Sequence, residues 1–554
     1  MYVDLYSLMK KFIIGPPGTG KTTRLVELYY SLIEQYSMAS IVTISHTNVA
    51  ADEIRDRIRD EENAIKYKVW DKIKANNKKF YEEHVSTIHS YCKSKLFGAQ
   101  VFDEECYLEL DRQNKLFSRR YHGGKDLKAL SKKHPFWKFL GFATDNDLSF
   151  PKYWKTLSPH DRQEYKYTLP QLISLNDYYQ KFKKDYKLNK KSSNVVDFID
   201  MIAQFNKAPK DPDIKVLIVD EAQDSSVPQR KALAKMEKNA EVVYWAGDPD
   251  QSIYGFAGAN PDYFSRISAQ PDCEELKQGY RCPRIINEYC KQVIAPIWQH
   301  YGYTRTWKPR EDKKTGKVIE GEKHPLENLE RCPNLPLLID RLHNTDETFM
   351  FTYRGGNECL DRILDFLKNQ GIRYSSYGTE NKFVKDWEIN CHRNFPDFAA
   401  GKPLDLKLIK DICKKGNSLL LEPGYQKFDF KDFQKRDYTL QELINKGVFT
   451  PKTSQYKKYE QVKHRESRTS DLENFKRTEY INKIIKKNID LKKEVRVFYD
   501  NIHSIKGTEF DNVIFDESLI RPEPRFDRLR LRYVGCSRSK KTLWLLKTIT
   551  GGTL

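Results

Sequence analysis

The sequence predicts an α/β protein: two domains built on parallel β-sheets, each interrupted by a mainly helical insertion. Three observations predict it. Short continuous apolar runs, each followed by turn residues and then a helical pattern, recur toward both ends of the 554-residue chain. A glycine-rich turn, Gly15 to Gly20, stands between one such run and a helical pattern. Two stretches, about 97–193 and about 382–490, break that rhythm with charged, aromatic-rich, helix-patterned sequence. The expected first domain is 1–96 with 194–275, and 97–193 is inserted in it; the expected second is 276–381 with 491–554, and 382–490 is inserted in it. At roughly 100–200 residues per domain, this length supports about three to five folding units.

The apolar runs are Phe12-Ile13-Ile14, Ile41 to Ile44, Val216 to Val219, Glu241 to Trp245, Val495 to Phe498 and Val513 to Phe515. Continuous rather than alternating apolar sequence marks strands covered on both faces, as in parallel sheets. Such sheets bind ligands at the carboxyl ends of their strands. The first run leads into Gly15-Pro16-Pro17-Gly18-Thr19-Gly20-Lys21-Thr22, followed by the helical pattern Thr23 to Leu28. Strand, GxxxxGK[ST] and helix together form a phosphate-binding loop. Its glycines let backbone N–H groups turn toward phosphates, and the helix amino end adds positive potential. Lys21 is expected to reach the β- and γ-phosphates, and the Thr22 hydroxyl to ligate Mg²⁺. The third run ends in Asp220-Glu221. There Asp220 is expected to hold Mg²⁺ through water, and Glu221 to orient and deprotonate an attacking water. The pairing of loop and carboxylates predicts nucleotide hydrolysis.

Composition bounds the partners. Hydrophobic residues at 39% suit a globular core, and no run of 18 apolar residues appears, so no membrane span is expected. Met1 to Gly18 lacks a signal-peptide layout, and its apolar stretch reads as a buried strand. The ten cysteines form no CxxC pair and are expected to be reduced thiols in a cytoplasm, bacterial or that of a viral host. A formal charge of +19 suits a polyanionic partner such as nucleic acid, though lysine-rich surfaces also arise without one.

The residues after Glu221 carry a resemblance. Asp220-Glu221-Ala222-Gln223-Asp224 resembles the DExQD box of the UvrD/Rep/PcrA helicases of superfamily 1, and Gly247 to Gly255 resembles their GDxDQSIY box. Thr43 to Ala51 is similar to their TFTNKAA segment and Val85 to His89 to their TFH segment. Leu276 to Arg281, Tyr353 to Asn357, His503 to Phe510 and Tyr533 to Arg538 are similar to the LxxNYR, YRSN, HSAKGLEF and YVGVTRA boxes. These boxes stand in family order over nearly the whole chain, whereas the two insertions carry little recognisable sequence.

The resemblance implies two RecA-like phosphate-loop domains with ATP between them. It implies an ATP-driven single-stranded-DNA translocase or helicase of 3′-to-5′ polarity, a monomer or weak dimer. By resemblance, Lys21, Glu221, Gln251, Arg281 and Arg538 are catalytic, the two arginines coming from the second domain as fingers on the γ-phosphate. ATP contacts extend over Gly15, Pro16, Pro17, Gly18, Thr19, Gly20, Lys21, Thr22 and Thr23, with Tyr280 stacking on adenine, Glu509 accepting from the ribose, and Gly507 beside it. DNA contacts are implied for Thr47, Asn48, Thr87, His89, Tyr254, Phe256, Arg354 and His503, with Tyr254 and Phe256 as the base-stacking platform.

Several positions depart from the family pattern. No glutamine segment that reads adenine is visible upstream of Phe12, His46 stands for phenylalanine, Phe256 for tryptophan and Ala257 for arginine. Only Ser539 to Leu554 follow Arg538, about where a strand-separating pin would form. The corresponding expectation is a translocase whose duplex unwinding is weak or needs a protein partner. An RNA-directed motor of the Upf1-like branch is a rival, since Gly15 to Thr22 suits that branch too; Gln251 to Gly255 and His503 to Phe510 argue against it. A non-enzymatic scaffold is a second rival, opposed by the full set Lys21, Thr22, Asp220, Glu221, Gln251, Arg281 and Arg538.

Overall fold

The structure, a computed structural model, describes residues 9–96, 100–102, 106, 109–110, 113, 135–185, 195–255, 258–259, 261–268, 273–354, 357–377, 384, 389–390, 393–394, 397–398, 400–415, 433–446, 479–487, 494–517 and 525–547. The expected stacking residue Phe256, Ala257 and most of 382–490 lie outside the described residues. Two compact units form: 1–321 with 523–538, and 322–522 with 539–554. Each is built on its own six-stranded sheet, and the two are RecA-like α/β domains.

In the first unit the strands are β1 (Met9–Ile14), β2 (Ile41–Ser45), β3 (Val85–Thr87), the short pair β4 (Gln100–Val101) and β5 (Val195–Val196), β6 (Val216–Val219), β7 (Val242–Gly247) and β8 (Glu274–Glu275). The main sheet has the order β3-β2-β6-β7-β1-β8, all parallel. Alternate residues of each strand enter separate cores. Ile13, Ile41, Val216, Ile218 and Val242 pack on one face with Leu25 and Tyr29 of the helix Lys21–Leu32. Ile14, Val42, Ile44, Leu217, Val219 and Val243 pack on the other with Phe205 and Leu233. Burying such a side chain contributes about 1.5–3 kcal/mol, so the apolar runs are what fix this sheet. Between β4 and β5 run the helices Pro135–Asp145, Phe150–Thr156, Pro159–Glu164 and Leu169–Asp185, around a separate aromatic-rich core that includes Phe136, Phe139, Tyr153 and Tyr179.

The second unit carries β9 (Glu322–Leu326), β10 (Phe349–Tyr353), β11 (Tyr374–Ser376), β12 (Leu404–Asp405), β13 (Asp437–Tyr438), β14 (Val497–Asn501), β15 (Phe510–Asp516) and β16 (Ser539–Leu546). Its main sheet, again parallel, has the order β11-β14-β10-β15-β16-β9, while β12 and β13 form a small antiparallel pair. Phe349, Phe351, Val497, Ile514 and Trp544 make one core face. Among the described residues no helix is long and apolar enough to cross a membrane.

The division into units falls differently from the boundaries expected from sequence. Residues 276–321 and 523–538 pack with the phosphate-loop sheet rather than with the second sheet. The helices Arg284–Tyr301 and Arg525–Cys536 pack on each other, and the second also packs on the turn Pro249–Gln251. Arg281 and Arg538 thus fall in the compact unit that contains the phosphate loop.

Candidate functional site

Most candidate groups of the first unit sit where a parallel strand ends, whereas Arg538 follows the helix Arg525–Cys536. β1 runs into the loop Gly15 to Gly20, β6 into Asp220-Glu221 and β7 into Asp248 to Gln251. β2 and β3 run into Thr47-Asn48 and His89. The loop is tied back on itself: Thr19 Oγ1 donates to the Pro16 carbonyl at 2.8 Å, and the buried Lys21 ammonium donates to the Gly15 carbonyl at 2.7 Å. Gly18 has φ +72°, and a methyl group there would lie 2.5 Å from Arg281 Cβ. Only glycine permits that turn and that approach together. The Tyr280 backbone N–H donates to the Gly18 carbonyl at 2.8 Å, and its ring, 62% exposed, lies 3.7 Å from where a methyl on Gly20 would be. Thr22 opens the helix Lys21–Leu32 beside Lys21, and the Thr23 hydroxyl accepts from Arg57 at 2.9 Å.

The carboxylates adjoin this loop. Asp220 is buried, and burial followed by the neighbouring Glu221 charge raises its pKa against the opposing pull of Lys21. Glu221 holds a left-handed backbone, φ 50°, which is rare for a residue with a Cβ and concentrates at functional sites. Gln223 links both strand ends: its amide N donates to Glu221 Oε2 at 2.5 Å, and its Oε1 accepts from the Asp248 N–H at 3.1 Å. Asp248 Oδ2 in turn accepts from Gln251 Nε2 at 2.8 Å, and Gln251 Oε1 accepts from Arg538 Nη2 at 2.8 Å. Arg538 is 1% exposed and is anchored by its Nε on the Val534 carbonyl at 2.9 Å. Burial and then the like charge of Arg281 lower its pKa to about 9, so it stays a cation at neutral pH.

The geometry thus gathers Lys21, Asp220, Glu221, Gln251, Tyr280, Arg281 and Arg538 in one unit around one loop. It can cradle a triphosphate, since a helix amino end, a lysine and two guanidinium groups oppose its charge. Magnesium fits the donor set. A buried carboxylate beside a second carboxylate, opposed by the charge of Lys21, leaves negative charge for a cation to offset. Among the described residues no cluster of three or more His, Cys, Asp or Glu side chains forms an all-protein cage. A magnesium ion carried on phosphates needs none.

A separate cleft of about 380 Å³ is lined by His46, Thr47, Asn48, Thr87, His89, Ser90, Lys93 and Phe198. Four expected DNA-contact residues therefore share one wall. The Thr47 and Thr87 hydroxyls accept from Ala50 N and Ser90 N, so both also cap helices. Burial lowers the His89 pKa and keeps its ring neutral, edge-on to Phe198 at 5.6 Å. Tyr254 stands edge-on to His46 at 6.1 Å. Phe198, 63% exposed, and Lys93 escaped sequence reasoning. The one available signal for Phe198 is a large apolar residue directly after Asp197, the cap of the helix Phe198–Lys207. Gly507, Glu509, Arg354 and His503 belong to the second unit, where Glu509 pairs with Lys540 at 3.7 Å.

Residues 6–272 match the family model described as the UvrD/REP helicase N-terminal domain, and 496–546 match the UvrD-like helicase C-terminal domain; together these cover more than half of the chain. The chain belongs to the UvrD-like helicase family. It is 27% identical over 411 residues to the ATP-dependent DNA helicase Rep of Buchnera aphidicola subsp. Schizaphis graminum, covering 68% of this chain and 55% of that protein. It is 26% identical over 303 residues to DNA helicase II of Rickettsia typhi, covering 51% and 42%. It is 26% identical over 324 residues to the ATP-dependent DNA helicase PcrA of Leuconostoc citreum, covering 52% and 39%. The chain spans about half or less of the length of these curated relatives. The UvrD-like membership agrees with the order of boxes along the sequence and with the two parallel sheets.

Proposed function

We propose that this chain is an ATP-dependent helicase that moves along single-stranded DNA with 3′-to-5′ polarity. The observation that carries the reading is the chain of contacts from the end of β7 to Arg538: Asp248 holds Gln251, and Gln251 holds Arg538, while Arg281 packs against Gly18 of the loop. The relatives named above are themselves called DNA helicases.

In this reading the γ-phosphate enters the Gly15 to Thr22 loop, and Lys21 exchanges the Gly15 carbonyl for phosphate oxygens. Thr22 and Asp220 would hold magnesium, which neutralises phosphate charge. Glu221 takes a proton from water as its oxygen bonds to the γ-phosphorus. The bond to the bridging β–γ oxygen breaks, and that oxygen keeps the electron pair on ADP. Arg281 and Arg538 stabilise the charge that spreads over the phosphoryl oxygens. Tyr280 supplies an exposed ring for the base.

The cleft of Thr47, Asn48, Thr87 and His89 suits a strand's backbone. Neutral donors and helix amino ends contact phosphates without reading sequence. Phe198 and Tyr254 add aromatic faces, worth about 1–3 kcal/mol per stacked base. Tailed duplexes test the direction. Unwinding or displacement of a blocking protein from 3′-tailed substrates, with 5′-tailed ones left intact, is expected; the opposite preference would overturn the polarity.

A further inference from the structure

The second unit holds a cavity of about 980 Å³ to which the reading above gives no role. Parallel sheets bind ligands at the carboxyl ends of their strands, and those ends of β10 and β14 lead to Arg354 and His503. The cavity lies at the other ends, where β11 and β14 begin. Its wall is partly apolar: Pro336, Ile339 and Leu342 of the helix Leu335–Asn344, Ile372 before β11, and Val495 and Val497 at the start of β14.

Three basic groups from separate elements meet on the remainder. Lys487, at the end of the helical stretch 479–487, donates from Nζ to His343 Nε2 at 2.7 Å. Arg496, the residue before β14, donates from Nη2 to the Leu342 carbonyl at 2.7 Å and from Nη1 to the Glu347 carbonyl at 3.2 Å. Among the described residues neither Lys487 nor Arg496 forms an ion pair. Burial, then the charges of Lys487 and Arg496, lower the His343 pKa against the weaker pull of Asp340. Asp346 and Glu347 act on Arg496 only from a distance, and Arg373 and Glu494 complete the charged lining.

An ammonium and a guanidinium crowded on one imidazole repel each other, and an anion placed among them removes that cost. Lys487 keeps two further N–H donors for it, and a protonated His343 adds its own. Donors converging from three elements suit the several oxygens of a phosphate better than the two of a carboxylate. The apolar wall favours an anion carried on an apolar body, and cavities of this size hold small molecules. We propose that this cavity is a binding site for a phosphate monoester with an apolar or aromatic body, its phosphate held by Lys487, His343 and Arg496.

The test titrates the full chain with phenyl phosphate, inorganic phosphate, benzoate and a single-stranded DNA oligonucleotide. The His343 ring signal is followed by NMR and assigned by its loss in His343→Gln. Phenyl phosphate should move that signal and raise the pKa read from it, because a bound anion favours the charged ring. Inorganic phosphate and benzoate should bind more weakly. Lys487→Met changes an exposed side chain and should weaken binding about tenfold or more, the effect of losing one charge-assisted hydrogen bond. Lys21→Ala, which disables the phosphate loop, should leave the His343 response intact. Binding that survives Lys487→Met, or that disappears in Lys21→Ala, would overturn the proposal. So would inorganic phosphate or benzoate binding as tightly as the ester. A His343 signal moved by the oligonucleotide as strongly as by the ester would overturn it too, and would make the cavity a contact for the strand.

Discussion

Arg538→Ala is expected to lower strand-stimulated ATP turnover by about 10³- to 10⁵-fold, the range over which an arginine at a transferring phosphoryl group acts. The side chain is preorganised for that work. Its Nε is held on the Val534 carbonyl and one Nη2 on Gln251, so little ordering remains to be done when a phosphate arrives. The charge it opposes develops in the transition state, so kcat should fall while the KM for ATP moves little. Truncation also strips the Gln251 carbonyl of its donor, at a cost of about 1–3 kcal/mol in a buried site. A melting measurement separates that loss from the catalytic one. Arg538→Lys keeps a cation without the planar fork and should recover little turnover.

Glu221→Gln is expected to lower kcat by about 10²- to 10⁴-fold, the usual contribution of a positioned general base. The amide keeps the shape and still sits within reach of Gln223, but it no longer takes the proton from water. Asp220, Thr22 and Lys21 are untouched, so nucleotide binding should persist and ATP should stay intact in the presence of DNA. Quench-flow measurement of ATP cleavage in a single turnover reads the step directly. A variant with unaltered cleavage would assign the base elsewhere.

The cores of both sheets were largely legible in the sequence because buried parallel strands are written as unbroken apolar runs. Val216–Val219 is such a run, and all four residues are buried. Short or polar-edged strands were not legible: β3 is three residues long, and β9 is Glu-Lys-His-Pro-Leu at a sheet edge. The apolar run at Val495 to Phe498 marks β14 two residues early, since Val495 and Arg496 precede the strand that begins at Val497. Local motifs gave the phosphate cradle because loop, strand end and helix start are contiguous. The buried pair of Asp250 and Arg305 was hidden, since the two are 55 residues apart in sequence and meet only in the fold. Phe198 was hidden for a related reason. Nothing in its neighbours says that a phenylalanine at the first turn of a helix faces a cleft rather than a core.

The central claim is that strand and nucleotide act on one connected set of groups, Lys21, Glu221, Gln251 and Arg538. Steady-state ATP hydrolysis by the full chain, with no nucleic acid, with single-stranded DNA and with RNA of equal length, tests it most directly. The account predicts turnover raised about tenfold or more by DNA, an ordinary coupling free energy of about 1–3 kcal/mol, and far less by RNA. Turnover that is indifferent to DNA, or abolished by nothing done to Lys21, would contradict it.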